Sequence, residues 1–86
     1  MNNDKYYQTN NFYLAAFLFA KGLELVNVDK TDPRKSYFVF ANHPELEILL
    51  RVFNYGNDDA PEAKVDARKF TYAIKKLKDS LYEQNY

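Results

Sequence analysis

The sequence predicts a small single α+β domain in which one helix is followed by a β-hairpin and then by two helices that pack on the hairpin. With 86 residues, the chain has room for one hydrophobic core. Two short runs of β-branched and aromatic residues flank a turn sequence, and three longer segments carry helical caps and helical apolar spacing. We expect residues 10–86 to form this domain and the polar, Asn-rich residues 1–9 to be a flexible N-terminal segment.

Composition argues against several classes of protein. Eight Tyr and seven Phe supply apolar surface for a core, and the absence of Cys excludes disulfides and thiolate metal sites. The longest apolar run, FYLAAFLFA, has nine residues, whereas a membrane span needs about 20. The N-terminus lacks the basic-then-apolar order of a signal peptide. We therefore expect a cytoplasmic protein without membrane contact.

The first helix is predicted to begin at a cap on Thr9 or Asn10 and to end at Gly22, the residue type that favours a left-handed C-terminal cap. Its side chains are apolar on nearly all sides, and Tyr13 and Phe17 share one of them. Such a helix is either buried in the middle of a domain or shared with another subunit. Tyr13 and Phe17 are therefore candidate residues of a homodimer interface.

A β-hairpin is predicted from LELVNV (residues 23–28) and SYFVFA (residues 36–41), which flank DKTDPRK with its Asp-Pro turn signal. Phe38 and Phe40 alternate with Tyr37, so one side of the second strand faces the core and the other faces outward. Two strands alone are marginally stable in water, so either the helices pack on the hairpin or two hairpins pair between chains. Tyr37 is thus a third candidate interface residue, and base stacking is its alternative role.

The second helix is predicted to begin at a capping-box-like arrangement of Asn42, Pro44 and Glu45 and to end at Gly56. A stripe at helical spacing is predicted to face the core. It consists of Leu46, Leu49, Leu50 and Phe53.

The last helix, within KVDARKFTYAIKKLKDSLYE (residues 64–83), is predicted to begin at a cap on Asp66 and to carry two opposed faces. The first is a packing seam of Phe70, Ala73, Ile74, Leu77 and Leu81. The second surrounds Tyr72 with the cations Lys64, Arg68, Lys69, Lys75 and Lys76. Lysines usually coat a helix only for solubility, but this face has Asp79 as its one acid, which makes it a candidate surface for phosphates.

Charge is segregated along the chain although the net charge is zero. Residues 44–63 carry one Lys/Arg and five Asp/Glu, whereas residues 64–78 carry six and one. A solvated helix ordinarily mixes both signs for i,i+4 pairing. The segregation therefore fits contact of the basic face with nucleic acid, or pairing of the basic helix of one subunit with the acidic segment of the next.

Three segments of the chain, TNNFYLAAFLFAKG, the F-x-F of YFVF and VDARKFTYAIKKLKDSLY, resemble a family of small uncharacterised domains encoded by bacteria, phages and other mobile elements. The resemblance extends over residues 9–82 and lies in apolar positions and helix caps. It implies a compact α+β domain in a mobile-element setting and brings no catalytic or binding residues with it. A phage origin would imply either service in nucleic-acid transactions or inhibition of a host protein.

Few residues are available for catalysis. The chain has one His, two Ser and no Cys, so a nucleophile with its base is not indicated. Both of its glycines are assigned to helix ends, so a phosphate-binding loop is not indicated either. His43 is assigned to a helix start, and Asp58 and Asp59 lack the spacing of a calcium loop. We therefore expect no enzymatic activity, no metal site and no cofactor.

Two functions remain open. The first is that of a small non-catalytic accessory protein that binds DNA or RNA without sequence specificity. Its binding residues would be Arg68, Lys69, Tyr72, Lys75 and Lys76. The second is that of a protein-interaction module, such as an inhibitor of a host factor, that acts as a homodimer through Tyr13, Phe17 and Tyr37. The two are compatible, because a dimer would double the basic face.

Overall fold

A computed structural model describes residues 5–56 and 61–82 of the chain. Three helices and a three-stranded antiparallel sheet form one α+β unit, which confirms the predicted fold class and adds a strand to the predicted hairpin. The elements follow in the order β1 (Tyr6–Thr9), α1 (Phe12–Ala20), β2 (Leu25–Asp29), β3 (Tyr37–Ala41), α2 (Leu46–Tyr55), a short 3-10 helix (Pro61–Ala63) and α3 (Ala67–Tyr82).

Strand β3 is the centre of the sheet, with β1 and β2 on either side of it. Phe38 and Phe40 are buried on the inner face, as the alternation predicts, and the ring of Phe12 on α1 meets Phe38 edge-on at 6.0 Å between centroids. Facing residues on the edge strands are Thr9 and Val28 for Phe38, and Tyr7 and Leu25 for Phe40. The inner face of the sheet is therefore one wall of the core.

The prediction that residues 1–9 are flexible is wrong for Tyr6–Thr9, which form strand β1. The segment alternates between inward Tyr7 and Thr9 and outward Tyr6 and Gln8, so one of its sides faces the core and the other is exposed. The backbone N–H of Asn42 donates to the carbonyl of Lys5 at 2.9 Å and continues the ladder. The polar composition of this segment does not indicate a strand, because in an edge strand with one exposed side only every second residue is buried. Residues 1–4 lie outside the described residues.

Helix α1 has well-formed caps at both ends. Its N-cap is Asn11, not Thr9 or Asn10, because the Asn11 Oδ1 accepts the N–H of Leu14 at 3.1 Å. Thr9 Oγ1 instead accepts the N–H of Asn11, one step before the helix. At the other end Gly22 adopts φ +102°, and the N–H of Leu23 donates back to the carbonyl of Leu18. This left-handed glycine closure confirms the predicted end of the helix.

The second helix begins later than predicted. Pro44 and Glu45 form a turn before the helix, in which the N–H of Glu45 donates to His43 Nδ1 at 3.0 Å, while the side chain of Asn42 accepts the N–H of His43. The capping box therefore does not form, because Pro44 disfavours a helical conformation at the residue before it. The predicted stripe is nevertheless correct, since Leu49 is buried and its three partners pack against the core.

Helix α1 is the centre of the hydrophobic core, with residues 14–18 buried in succession. It packs along α3 and also contacts α2. Ala15, Ala16 and Ala73 have no exposed surface, so small side chains on both helices leave room for the backbones to approach. The other buried apolar residues are Leu14, Phe17, Leu18, Leu23, Phe38, Phe40, Leu49 and Leu77.

The α1–α3 contact makes a testable prediction for stability. Leu77 is fully buried, so we expect Leu77→Ala to lower the free energy of unfolding by about 2–5 kcal/mol, through lost apolar burial and the cavity left behind. Leu77→Met should lower it by less than about 1.5 kcal/mol. Tyr55→Ala, on a side chain that is 85% exposed, is the surface control. Urea denaturation followed by circular dichroism measures all three, and equal losses for Leu77→Ala and Tyr55→Ala would contradict the described core.

Candidate nucleic-acid interface

The exposed side of α3 carries the predicted binding residues together. Arg68, Lys69, Lys75 and Lys76 are exposed, and Tyr72 between them is 56% exposed. On the opposite side Ala73 and Leu77 are fully buried, and the rest of the predicted seam packs against the core: Phe70, Ile74 and Leu81. The two faces predicted from the spacing are therefore both present, and packing of one of them on α1 leaves the other facing outward. We call the four cations and Tyr72 the basic face.

The first turn of α3 is held by Asp66. Its Oδ1 accepts the N–H of Arg68 at 2.8 Å and the N–H of Lys69 at 3.2 Å, which confirms the predicted N-cap. The 3-10 helix at Pro61–Ala63 precedes this cap. Nearby, Lys21 Nζ donates to the backbone carbonyl of Lys64 at 2.6 Å and links the end of α1 to the segment before α3. The start of the basic face is thus attached to the end of α1.

One cation of the basic face is partly neutralised. Lys75 Nζ lies 3.8 Å from Asp79 Oδ2 in an i,i+4 pair whose side chains are both largely exposed. Such a pair is weak and is screened by salt. Among residues 5–56 and 61–82, Arg68, Lys69 and Lys76 form no ion pair with an acidic side chain. Most of the positive charge on this face is therefore available to an external anion.

The acidic residues of the predicted acidic segment, residues 44–63, lie on other elements than α3. Glu45 and Glu47 are exposed at the start of α2, and Glu62 is exposed in the 3-10 helix. Helix α2 packs against α1 and the 3-10 helix. Asp58 and Asp59, which completed the predicted acidic segment, lie outside the described residues. The charges that are segregated along the sequence therefore lie on different elements. The cations are on α3, and the described acidic residues of that segment are at the start of α2 and in the 3-10 helix.

A shallow cavity of about 400 Å³ adjoins the basic face, between the end of α1 and the first turns of α3. Its lining residues are Phe19, Ala20, Gly22, Arg68, Lys69 and Tyr72. The rings of Phe19 and Tyr72 are nearly parallel, at 27°, with centroids 6.5 Å apart. The sequence pattern indicates Gly22 only as a helix end and does not indicate Phe19 as a site residue. The position of Phe19 could have indicated such a role, because it is the last aromatic residue before the C-terminal cap of α1, where a side chain has fewer neighbours in the fold.

The predicted homodimer residues do not form one surface. Tyr13 is 62% exposed on α1, but Phe17 is only 4% exposed and packs against Phe53 of α2 at 5.3 Å between ring centroids. The prediction of Phe17 as an interface residue is therefore wrong. An all-apolar helix does not reveal which of its sides the same chain covers, and here α2 covers the Phe17 side. Tyr37 is half-buried and lies on the outer face of the sheet, beside Asp29 of β2.

No metal-binding cluster is found in the described part of the chain. His43 is engaged at a turn, where its Nδ1 accepts the N–H of Glu45. Groups of three or more His, Cys, Asp or Glu side chains that could hold a metal ion do not occur among residues 5–56 and 61–82. Within the same residues, no helix has the length and apolar character needed to cross a membrane.

The fold and the site together define a small α+β domain with a basic helix face next to an aromatic cavity. The chain belongs to the family described as a domain of unknown function, DUF5659, whose sequence model matches residues 4–83. This finding supports the resemblance to a family of small uncharacterised domains. No curated protein and no solved structure matches the chain.

The Asp66 cap makes a prediction for the first turn of the basic face. We expect Asp66→Ala to lower the free energy of unfolding by about 1 kcal/mol, because the N–H groups of Arg68 and Lys69 lose their acceptor. Asp66→Asn keeps an acceptor oxygen and should lose clearly less. Urea denaturation of the two variants separates the effect of losing the hydrogen-bond acceptor from the effect of losing the negative charge. Equal losses would contradict a capping role, since they would assign the stabilisation to the negative charge alone.

Proposed function

We propose that this protein is a small non-catalytic accessory protein of a phage or other mobile element that binds nucleic acid without sequence specificity in the cytoplasm. One observation carries the proposal. Four exposed cations surround Tyr72 on a single outward face of α3, and three of them form no ion pair with an acidic side chain of the described residues. Several cations on one face can contact several phosphates of the same nucleic acid. Contacts to phosphates carry no sequence information, so this binding would not depend on sequence.

The spacing of the cations supports a chain of phosphates as the partner. Arg68 and Lys69 lie seven residues before Lys75 and Lys76, which corresponds to about 10.5 Å along a helix at 1.5 Å per residue. This equals the rise of about three nucleotides along the axis of a duplex, at 3.4 Å per nucleotide of one strand. The two pairs of cations would therefore contact phosphates a few nucleotides apart, with Tyr72 between them.

The zero net charge is compatible with this proposal. Long-range attraction to a polyanion is weak for a neutral protein, but charges within about 10 Å of each other interact at moderate salt. Exposed Glu45 and Glu47 on α2 would repel phosphates and so direct them to α3. The expected binding is weak to moderate in affinity and strongly dependent on salt.

Two lysines of α3 provide a matched test. Lys76 belongs to the basic face, whereas Lys78 is also exposed but lies about 160° away around the helix. We expect Lys76→Ala to weaken binding of both single strands and duplexes. It should also make the slope of log affinity against log salt shallower by about 0.7 for single strands and about 0.9 for duplexes. Lys78→Ala should change the slope clearly less, because Lys78 lies at the margin of the basic face, about 60° beyond Lys75 around the helix.

Fluorescence anisotropy of labelled oligonucleotides at several salt concentrations measures these slopes. Circular dichroism of each variant establishes that the helices are intact. Absence of binding by the unmodified protein at low salt would overturn the proposal. Equal effects of Lys76→Ala and Lys78→Ala would reject the basic face as the contact surface.

A homodimeric protein-interaction module, such as an inhibitor of a host factor, is the second candidate. It is favoured by the outer face of the sheet, where Tyr6 is 56% exposed and Tyr37 and Val39 are half-exposed. An aromatic and aliphatic sheet face of this kind is typical of surfaces that bind other proteins. Tyr13 lies elsewhere, on α1.

Sedimentation equilibrium tests the second candidate. A homodimer through the outer face predicts a mass of two chains, and Tyr37→Ser should shift the protein towards a mass of one chain because it removes an apolar ring from the contact. Tyr55→Ser, on the exposed end of α2, should not change the mass. A mass of one chain for the unmodified protein at all concentrations would exclude self-association.

A further inference from the structure

The cavity beside the basic face has the chemistry of a base-binding site. Its lining is mostly apolar, and Arg68 and Lys69 are among the lining residues. We propose that it binds one unpaired nucleobase, so that the protein prefers single-stranded nucleic acid to duplex. The proposal rests on the proposed function, because the basic face of α3 must hold the neighbouring phosphates.

The size of the cavity fits a small planar group. Its volume of about 400 Å³ is near the lower end of the range of about 300–1,000 Å³ for ligand sites. Gly22 contributes to this space, since its left-handed conformation ends α1 without placing a side chain there. Apart from Gly22 and its two neighbours in the chain, no heavy atom of residues 5–56 and 61–82 lies within 4 Å of a Cβ atom added at Gly22, so the space beside this glycine is open.

Phe19 and Tyr72 supply the stacking surface. Phe19 is partly buried against the core and lies nearly parallel to Tyr72, so the tyrosine ring is supported from within the protein. Tyr72 is also 56% exposed, which leaves ring surface for an external partner. Aromatic platforms of this kind bind every base through its flat face, and their removal weakens binding roughly 5- to 150-fold per stacked base.

The cations identify the occupant as a nucleotide rather than an apolar side chain of a protein. An apolar group in the cavity would cover Arg68 and Lys69 without giving either an anion. A nucleic-acid strand places a phosphate next to every base. It can therefore supply a flat ring to the apolar lining of the cavity and an anion to Arg68 and Lys69 at the same time. In a duplex the base faces are covered by neighbouring pairs, so a base must first be unstacked. Single-stranded DNA and RNA share the chemistry that the cavity recognises.

A tryptophan reporter tests the site directly, because the chain contains no Trp. In Tyr72→Trp we expect an oligothymidylate or an oligouridylate to quench and shift the indole emission by stacking on the ring. A hairpin duplex at the same phosphate concentration should change the emission much less. Tyr37→Trp, on the outer face of the sheet, is the control and should respond to neither ligand.

Affinity measurements provide the second test. Tyr72→Ala should weaken binding of the single strand by roughly 5- to 150-fold and binding of the duplex clearly less, because only the single strand loses a stacked base. Tyr72→Phe keeps the ring and should bind like the unmodified protein. Circular dichroism verifies that each variant retains its helices.

The outcomes separate this proposal from the proposed function. If Tyr72→Ala weakens single strand and duplex equally, the base site is overturned while phosphate binding by α3 stands. If Tyr37→Trp responds to the single strand and Tyr72→Trp does not, the base site in the cavity is likewise overturned. If the unmodified protein binds neither nucleic acid at low salt, both proposals fail.

Discussion

The burial of helix α1 is the constraint on which the rest of the structure depends. Nine residues, almost all of them apolar, cannot be solvated favourably, so the chain must cover them from several directions. The sheet meets Phe12 through Phe38, α2 meets Phe17 through Phe53, and α3 packs along the same helix. In a chain of 86 residues this leaves little apolar surface for any other core.

Packing on α1 also determines where charge appears on the surface. Once Ala73 and Leu77 of α3 are buried, the helical period requires the side chains about half a turn away to face solvent. Those side chains are the cations around Tyr72. The exposed margin of α1 lies beside them, since α1 ends at Gly22 next to the first turns of α3, and it contributes Phe19 to the same surface. An aromatic cavity therefore borders a basic face as a direct result of how the core is closed.

Much of this arrangement follows from sequence pattern, because caps and apolar spacing are local. Gly22, Asp66 and the two opposed faces of α3 are correctly predicted for that reason. Strand β1 is not, because its place depends on pairing with β3, some thirty residues further along the chain.

The errors at the site have a similar origin. Phe17 and Tyr13 look equivalent in an apolar helix, and only the position of α2 distinguishes the buried ring from the exposed one. The cavity at Phe19 is likewise formed by two elements that are distant in sequence. Spacing within one helix predicts which residues share a face, but it does not predict what a second helix places beside that face.

The central claim is that the surface shared by α3 and the end of α1 contacts nucleic acid. Amide chemical-shift mapping by NMR, during titration with a single-stranded oligonucleotide at low salt, tests it most directly. We expect the largest shifts to cluster at residues 19–22 and 68–76, with small shifts on α2. Shifts centred on the outer face of the sheet at Tyr6 and Tyr37, or no shifts at all, would contradict it.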